Sequence, residues 1–189
     1  MRRPRRQGVL TTLRALAAAT ALLLLVGCGR DNPLNETVEP FEMVEVDYER
    51  AIRLSLAEVS GGELVSLRLQ EPESTSFAWE SEIATEDGSI QVVRLDATRG
   101  SVLESTAAPG REDSQGQAVV KLLDRATVLP GEAAREAMGT TDGRVTSISL
   151  EERGGEPVWI VDVLDTGASP AVSHVVDART GEVQNRTPA

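Results

Sequence analysis

Apolar positions recur first with a helical period and then with the period of strands, and this succession occurs twice along the chain. In the first copy, Asp47 can cap a helix to about residue 59, whose apolar stripe is Tyr48, Ile52, Leu56 and Val59. Alternating segments then predict three strands, at 63–70, 76–85 and 90–95. In the second copy a helix begins near Pro130, and strands follow at 144–152, 157–164 and 171–176. Each copy therefore predicts one helix and then an antiparallel meander.

The repeat is clearest in one tryptophan and one turn. Trp79 precedes Trp159 by 80 residues, and Asp96-Ala-Thr-Arg-Gly100 precedes Asp177-Ala-Arg-Thr-Gly181 by 81 residues. Internal similarity at a fixed spacing is typical of repeated structural units. We predict an α+β fold of two similar small domains, each a helix packed on an antiparallel β-meander of three to four strands. The predicted boundaries are 46–104 for the first domain, 105–117 for a linker rich in Ser, Ala, Gly and Pro, and 118–189 for the second domain with a short leading helix at 118–125.

Residues 1–27 have the pattern of an export signal. Arginines at positions 2, 3, 5 and 6 precede an alanine- and leucine-rich run over 15–26. That run is too short for a membrane span, which needs about 20 residues. Leu25-Val26-Gly27-Cys28 resembles the lipobox of bacterial lipoproteins, in which the cysteine becomes N-terminal and carries a lipid. We predict lipidation at Cys28 and anchoring at the extracytoplasmic face of the cell membrane; the alternative is an ordinary signal peptide, and the route of export, general or twin-arginine, stays open.

Removing this signal makes the chain strongly acidic. Residues 1–27 hold five arginines and no acid, so the formal net charge changes from −11 to −16. Such a surface repels nucleic acid and anionic lipid, and a charged partner is expected to be basic or a cation such as calcium. Residues 28–45 are acidic, contain Pro33 and Pro40, and predict a flexible tether, in which Phe41 and Met43 are candidates to dock on the first domain.

The repeated residues each have a structural and a functional interpretation. Trp159 shares strand parity with Val161 and Val163, which favours burial beneath the helix; the alternative for Trp159 and for Trp79 is an exposed ring that binds a partner. Asp96 and Asp177 can accept hydrogen bonds from backbone N–H groups of their own turns, and Gly100 and Gly181 can supply a positive φ. We predict structural turns, because these loops lack the dense acid spacing of a calcium motif.

No catalytic, metal-binding or cofactor-binding constellation stands out in the sequence. His174, the only histidine, shares parity with Val172 and Val176 and is interpreted as a core residue. A single histidine without a free cysteine argues against zinc sites and Cys–His nucleophiles. A Gly-x-Ser-x-Gly elbow, a phosphate loop and a Rossmann fingerprint are missing, although composition alone leaves a Ser-His-Asp triad open. We therefore expect no enzyme activity and no cofactor.

The second copy resembles the PepSY domain. The resemblance covers about 130–185 and is carried by 132–137, 143–151, 157–163 and 175–183, which read EAAREA, GRVTSISLE, PVWIVDV and VVDARTGEV. The first copy, about 47–104, matches more loosely, because Ser81 replaces a core aliphatic residue and Arg99 stands where Thr180 does. The resemblance implies a non-catalytic module with a helix packed on an antiparallel sheet. In metalloprotease propeptides such domains assist folding and inhibit the peptidase, and in anchored proteins they are thought to restrain local protease activity.

Two functions follow as expectations. The first is a lipoprotein that binds an envelope or secreted protein, with a protease among the candidates, by strand addition at an open sheet edge and acidic rim residues. Because no peptidase follows the second copy, we expect any inhibition to act on a separate protein. The alternative is the binding or sensing of a small ligand or a cation such as calcium in a groove between the two domains.

Overall fold

The computed structural model describes residues 43–70, 76–108, 113–165 and 171–188; for residues 113, 165 and 185–188 it describes the backbone only. The predicted signal, Cys28, Phe41 and most of the tether lie outside these residues. The helices are α1 (Tyr48–Glu58), α2 (Asp113–Leu123) and α3 (Pro130–Met138). The strands are β1 (Glu63–Gln70), β2 (Ala78–Ala84), β3 (Ile90–Asp96), β4 (Val102–Ala107), β5 (Gly143–Arg153), β6 (Glu156–Asp165), β7 (Val172–Asp177) and β8 (Val183–Pro188). None of the described helices is long and apolar enough to cross a bilayer.

The eight described strands form one antiparallel sheet, in the order β4-β3-β2-β1-β5-β6-β7-β8. Each copy contributes four consecutive strands, and the copies meet where β1 pairs with β5, with Ser66, Leu67 and Arg68 opposite Ser149, Ile148 and Ser147. The predicted α+β class with a helix on an antiparallel sheet is confirmed. The division into two domains is not confirmed, since the described residues from Met43 onward belong to one compact unit. This pairing also removes two sheet edges that separate domains would expose.

The apolar core continues from one copy into the other on one face of the sheet. Leu67 and Ile148, which face each other across the β1–β5 junction, are both completely buried. The helices α1 and α3 cover this face, with small buried side chains at Ala51 and Ala134 that bring the helix backbones close to the sheet. A unit of about 60 residues has a marginal core by itself. The shared core thus stabilises both copies together.

The stretch predicted as a linker, 105–117, has regular structure at both of its described ends. It contains the end of β4 and the first part of α2. All six residues of β4 are exposed, which explains why the strand shows no apolar alternation in the sequence. The helix α2 begins before the predicted leading helix at 118–125 and packs against β1, β2 and β5. Both described ends of the connection between the copies are therefore part of the folded unit.

The helix α2 is held at both of its ends. Gln117 Nε2 donates to the carbonyl oxygen of Asp87 in the β2–β3 turn at 2.8 Å. Arg125, just after the helix, donates to the carbonyl oxygen of Gly155 in the β5–β6 turn at 2.6 Å. Gly116 lies so near to Gly88 that a Cβ atom at position 116 would be 1.8 Å from the carbonyl oxygen of Gly88. The helix thus links a turn of the first copy to a turn of the second.

Candidate functional site

In each copy, the repeated tryptophan and the repeated turn hold the segment that leads into the helix. Trp79 Nε1 donates to the carbonyl oxygen of Val46 at 2.7 Å, and the backbone N–H of Val46 donates to the carbonyl oxygen of Ala97 at 2.8 Å. The second copy has the same arrangement. Trp159 Nε1 donates to the carbonyl oxygen of Val128, and the N–H of Val128 donates to Ala178, both at 2.8 Å. We call this arrangement the indole clamp.

The clamp explains why the two tryptophans occupy equivalent positions. Both indole rings are 1% exposed and belong to the core beneath the helices. A buried indole usually finds an acceptor for its N–H, which here is the carbonyl oxygen of the segment before the helix. The alternative interpretation, in which Trp79 and Trp159 are exposed to bind a partner, does not fit the structure, because the rings are enclosed by the chain itself.

The two aspartates are occupied by their own turns. The Asp96 carboxylate accepts from the N–H groups of Thr98 (2.9 Å) and Arg99 (2.7 Å), and Asp177 does the same with the two residues at the equivalent positions. These bonds, with those from Arg99 and Arg179 the largest cause, hold the pKa of each carboxyl below its ordinary value. The closing glycines have φ values of 77° at Gly100 and 81° at Gly181. The geometry thus matches the predicted structural turns.

Within the described residues, no group of three or more His, Cys, Asp and Glu side chains is arranged to hold a metal ion. His174 is completely buried on β7, with Nδ1 at 3.3 Å from Thr140 Oγ1 and Nε2 at 3.2 Å from Thr141 Oγ1. The residue equivalent to His174 in the first copy is Val93. The first copy has a different polar residue in its core, Ser81, whose hydroxyl donates to the carbonyl oxygen of Val93 at 3.1 Å. The interpretation of His174 as a core residue is confirmed.

The outer edge of β4 is the first surface feature that could bind another molecule. β4 pairs with β3 on one side, and its other side has no strand partner among the described residues. Val102 and Leu103 are 41% and 55% exposed. The opposite edge strand, β8, ends at Pro188, which has no N–H to donate. β4 therefore offers the better edge for pairing with an added strand.

A groove between α1 and α3, which we call the helix groove, is the second surface feature. It has a volume of about 310 Å³ and is lined by Glu49, Ile52, Arg53 and Leu56 from the first copy and by Leu129, Pro130, Gly131, Glu132 and Arg135 from the second. The Arg135 guanidinium lies 3.6 Å from the Glu49 carboxylate. Leu129, at the rim, is 65% exposed, more than any other large apolar side chain among the described residues.

The third surface feature is a cavity of about 250 Å³ between the segment before α1 and the beginning of β5. Trp79, Tyr48 and Met138 contribute to its mainly apolar wall. Arg144 of the second copy forms a hydrogen bond with the first copy: its Nη1 donates to the carbonyl oxygen of Val44 at 2.8 Å. Burial, the largest cause, raises the pKa of the Tyr48 phenol. This cavity is a place between the copies where a small ligand could bind.

Sequence reasoning missed the residues of the helix groove. A signal was nevertheless present in the sequence, since aligning the second helix on the first, with Ala133 at the position of Ala51, places Leu129 opposite Asp47. A leucine aligned with a helix-capping aspartate is unusual. The cavity at Arg144 gave no such signal, because its walls come from segments that are far apart in sequence.

Residues 129–187 match the family model PepSY, described as "Peptidase propeptide and YPEB domain". The match covers most of the second copy and confirms its predicted similarity to the PepSY domain. A protein from Clostridium difficile 630 that is assigned as a lipoprotein has a similar crystal structure, with 20% identity, coverage of 76% of this chain and 93% of that chain, and a TM-score of 0.49. The YpmB protein from Bacillus subtilis is 12% identical, with coverage of 75% and 98% and a TM-score of 0.33. No curated protein sequence matches the chain.

Proposed function

We propose that this protein is a non-catalytic lipoprotein that binds and regulates another protein of the cell envelope, with a protease as the leading candidate. The observation that carries the proposal is the PepSY domain at residues 129–187. The lipobox-like sequence that ends at Cys28 supports a lipid anchor at the extracytoplasmic face of the cell membrane. The first copy, which has the same clamp and turn, would be a second module of the same kind.

The chemistry of the described residues supports a binding role. His174 lies against two threonine hydroxyls, and the carboxylates of Asp96 and Asp177 accept bonds within their own turns. The side chains of His174, Asp96 and Asp177 are of types that can act in catalysis or bind a metal ion. Each has a structural partner, so we assign them to the fold and place the function on the surface.

Strand addition at β4 is the binding mode that we propose. A partner strand could form main-chain hydrogen bonds with the outer edge of β4, and Val102 and Leu103 would contact its side chains. The exported chain has a net charge of −16, and Glu104 on β4 is about half exposed. A basic or neutral partner segment is therefore favoured over an acidic one.

The proposal can be tested with the soluble chain from Gly29 to Ala189 as bait over solubilised envelope and culture supernatant. We expect a retained envelope protein, and a protease whose activity falls as bait is added. Leu103→Lys should weaken retention by about tenfold or more, because a charge on an edge strand opposes pairing. Ser114→Lys, at an exposed position of α2, is the matched control. Retention of nothing by the wild-type chain would refute the proposal.

The cavity at Arg144 favours a second candidate, the binding of a small ligand between the copies. A ligand that binds only the folded chain raises its melting temperature in proportion to the logarithm of the ligand concentration. Small apolar acids, whose carboxylates could pair with Arg144, are the first compounds to titrate, and calcium is titrated separately because the chain is acidic. A melting temperature that does not change in these titrations would remove this candidate.

A further inference from the structure

The helix α3 lacks the side-chain cap that α1 has, although the two backbones are alike at that position. Asp47 has φ −71° and ψ 169°, and its carboxylate accepts from the N–H of Arg50 at 2.7 Å. Leu129 stands at the equivalent position before α3, with φ −70° and ψ 150°, and its side chain has no acceptor. Asp, Asn, Ser and Thr are strongly favoured over leucine at this position. The backbone at 129 could hold a capping aspartate, yet a leucine occupies it.

Burial does not explain the leucine. Its side chain is 65% exposed, whereas the neighbouring Val128 and Pro130 are only partly exposed. The leucine therefore contributes less than an aspartate to the helix and little to the core. A local rule that is broken with no gain inside the chain is the kind of departure found at functional sites. Leu129 has the character of a residue whose contacts lie in another molecule.

The helix groove beside Leu129 has a defined chemistry. Ile52, which is 9% exposed, and Leu56 form apolar parts of its wall on the α1 side. On the α3 side, the Glu132 carboxylate accepts a bond from the N–H of Leu129 at 3.2 Å and stays exposed. Arg53 is exposed and makes no ion pair with any described residue. The groove thus presents an apolar centre with a cation on the α1 side and an anion on the α3 side.

We propose that the helix groove is the docking site for an amphipathic helix of a partner protein, with Leu129 as the anchor. Apolar side chains at i, i+4 and i+7 of that helix would fill the groove between α1 and α3. An acid on one flank of the partner helix would meet Arg53, and a base on the other flank would meet Glu132. The inference rests on the proposed function, because it names the surface and the kind of partner. It uses a different surface from β4, so the two can fail separately.

The charge pattern favours a partner helix over two other occupants. A second copy of the chain would bring together two molecules that each have a net charge of −16. An apolar membrane surface would require Arg53, Glu132 and the Glu49–Arg135 pair to lose water without a charged partner. A helix with one acidic and one basic flank satisfies these groups.

The test uses the chain from Gly29 to Ala189 and a labelled, alanine-based synthetic helix with leucines at i, i+4 and i+7, one aspartate flank and one lysine flank. We expect saturable binding by fluorescence anisotropy, and no binding of a peptide of the same composition whose leucines are scattered around the helix. Leu129→Asp should weaken binding by about tenfold or more. Met43→Asp, which changes another exposed apolar side chain outside both the groove and β4, is the matched control and should bind as the wild type does.

Leu129→Asp separates binding from folding. The new aspartate can cap α3 as Asp47 caps α1, so the melting temperature should rise by about 2–4 °C while binding is lost. Arg53→Glu provides a second variant. It should weaken binding of the peptide with the aspartate flank, and exchange of that aspartate for lysine should restore binding.

Several results would overturn the proposal. These are the absence of saturable binding, equal binding of the scattered peptide, and unchanged binding by Leu129→Asp. A wild-type dimer that Leu129→Asp dissociates in sedimentation velocity would assign the groove to self-association. Loss of co-sedimentation with phosphatidylcholine vesicles in the same variant would assign it to the membrane. If wild type and Leu129→Asp retain the same envelope protein on the bait column, the groove assignment fails while the proposed function stands.

Discussion

Replacing one tryptophan tests whether the two copies form a single cooperative unit. Trp79→Phe removes the indole N–H that donates to the carbonyl oxygen of Val46 at 2.7 Å, and it shortens a ring that is 1% exposed. The chain has two tryptophans, so Trp159 in the second copy then becomes the only indole reporter. A change in the first copy can thus be followed by a probe in the second.

The expected loss of stability has two parts. Leaving a buried carbonyl oxygen without its donor costs about 1–3 kcal/mol. The smaller ring leaves unfilled space, worth roughly another 1 kcal/mol at about 24 cal/mol per Å³ of cavity. We expect the free energy of unfolding to fall by about 2–4 kcal/mol, a large part of the roughly 5–15 kcal/mol that is typical of a native protein.

Equilibrium unfolding in urea, followed by circular dichroism and by Trp159 fluorescence, measures this loss. Both copies share one sheet and one core, so the two probes should report the same transition, moved to lower denaturant by the same amount. Trp159→Phe, observed through Trp79, is the mirror experiment. The reasoning is refuted if fluorescence of Trp159 keeps its wild-type midpoint while circular dichroism shows a destabilised first copy.

Three further changes test other parts of the structure. Gly116→Ala should destabilise the protein by about 1–3 kcal/mol, because the new Cβ would collide with the β2–β3 turn. Gly131→Ala is the control: its Cβ would enter open space, and the variant should be more stable than wild type by up to about 1 kcal/mol. Equal melting temperatures of the two variants would contradict this expectation. The carboxyls of Asp96 and Asp177 have lower pKa values in the folded protein than in the unfolded chain, so they stabilise the fold above the unfolded pKa, and this stability is lost as the pH falls through the folded pKa. In acid titrations of unfolding, the double variant Asp96→Asn, Asp177→Asn should therefore lose stability less steeply than wild type below about pH 4. Cys28→Ser should move the protein from the membrane fraction to the soluble fraction in cell fractionation, and continued membrane association would show that the lipid is not the anchor.

The elements with one buried face could be predicted from the sequence. α1 begins after the predicted cap at Asp47, and β1 spans the predicted 63–70, because each places apolar residues at the period of its own structure. β4 is exposed along its whole length and shows no apolar period, and the first five residues of α2, 113–117, contain no apolar side chain before Ala118. For this reason residues 105–117 were predicted as a linker, although they end one strand and begin a helix.

The joining of the two copies could not be predicted from the sequence. The strands β1 and β5 pair through Ser66, Arg68, Ser147 and Ser149, around the buried pair Leu67 and Ile148. A strand that pairs with a partner about 80 residues away looks the same in sequence as an edge strand, because backbone groups make the bonds. The clamp was hidden for the same reason: its acceptors are main-chain carbonyl oxygens, and every residue has one.

A comparison of the two copies separates what the fold needs from what it does not. Both copies keep the tryptophan, the Asp-Ala-x-x-Gly turn and buried small residues in the helix, and the tryptophan and the turn form hydrogen bonds within the chain. Position 129 has a leucine where position 47 has an aspartate, although the backbone geometry at 129 would accept an aspartate. Core packing does not account for this difference, because Leu129 is 65% exposed. The proposed partner should therefore be sought at the exposed Leu129 and at the β4 edge, and not at the repeated tryptophans and turns, which are buried or bonded within the chain.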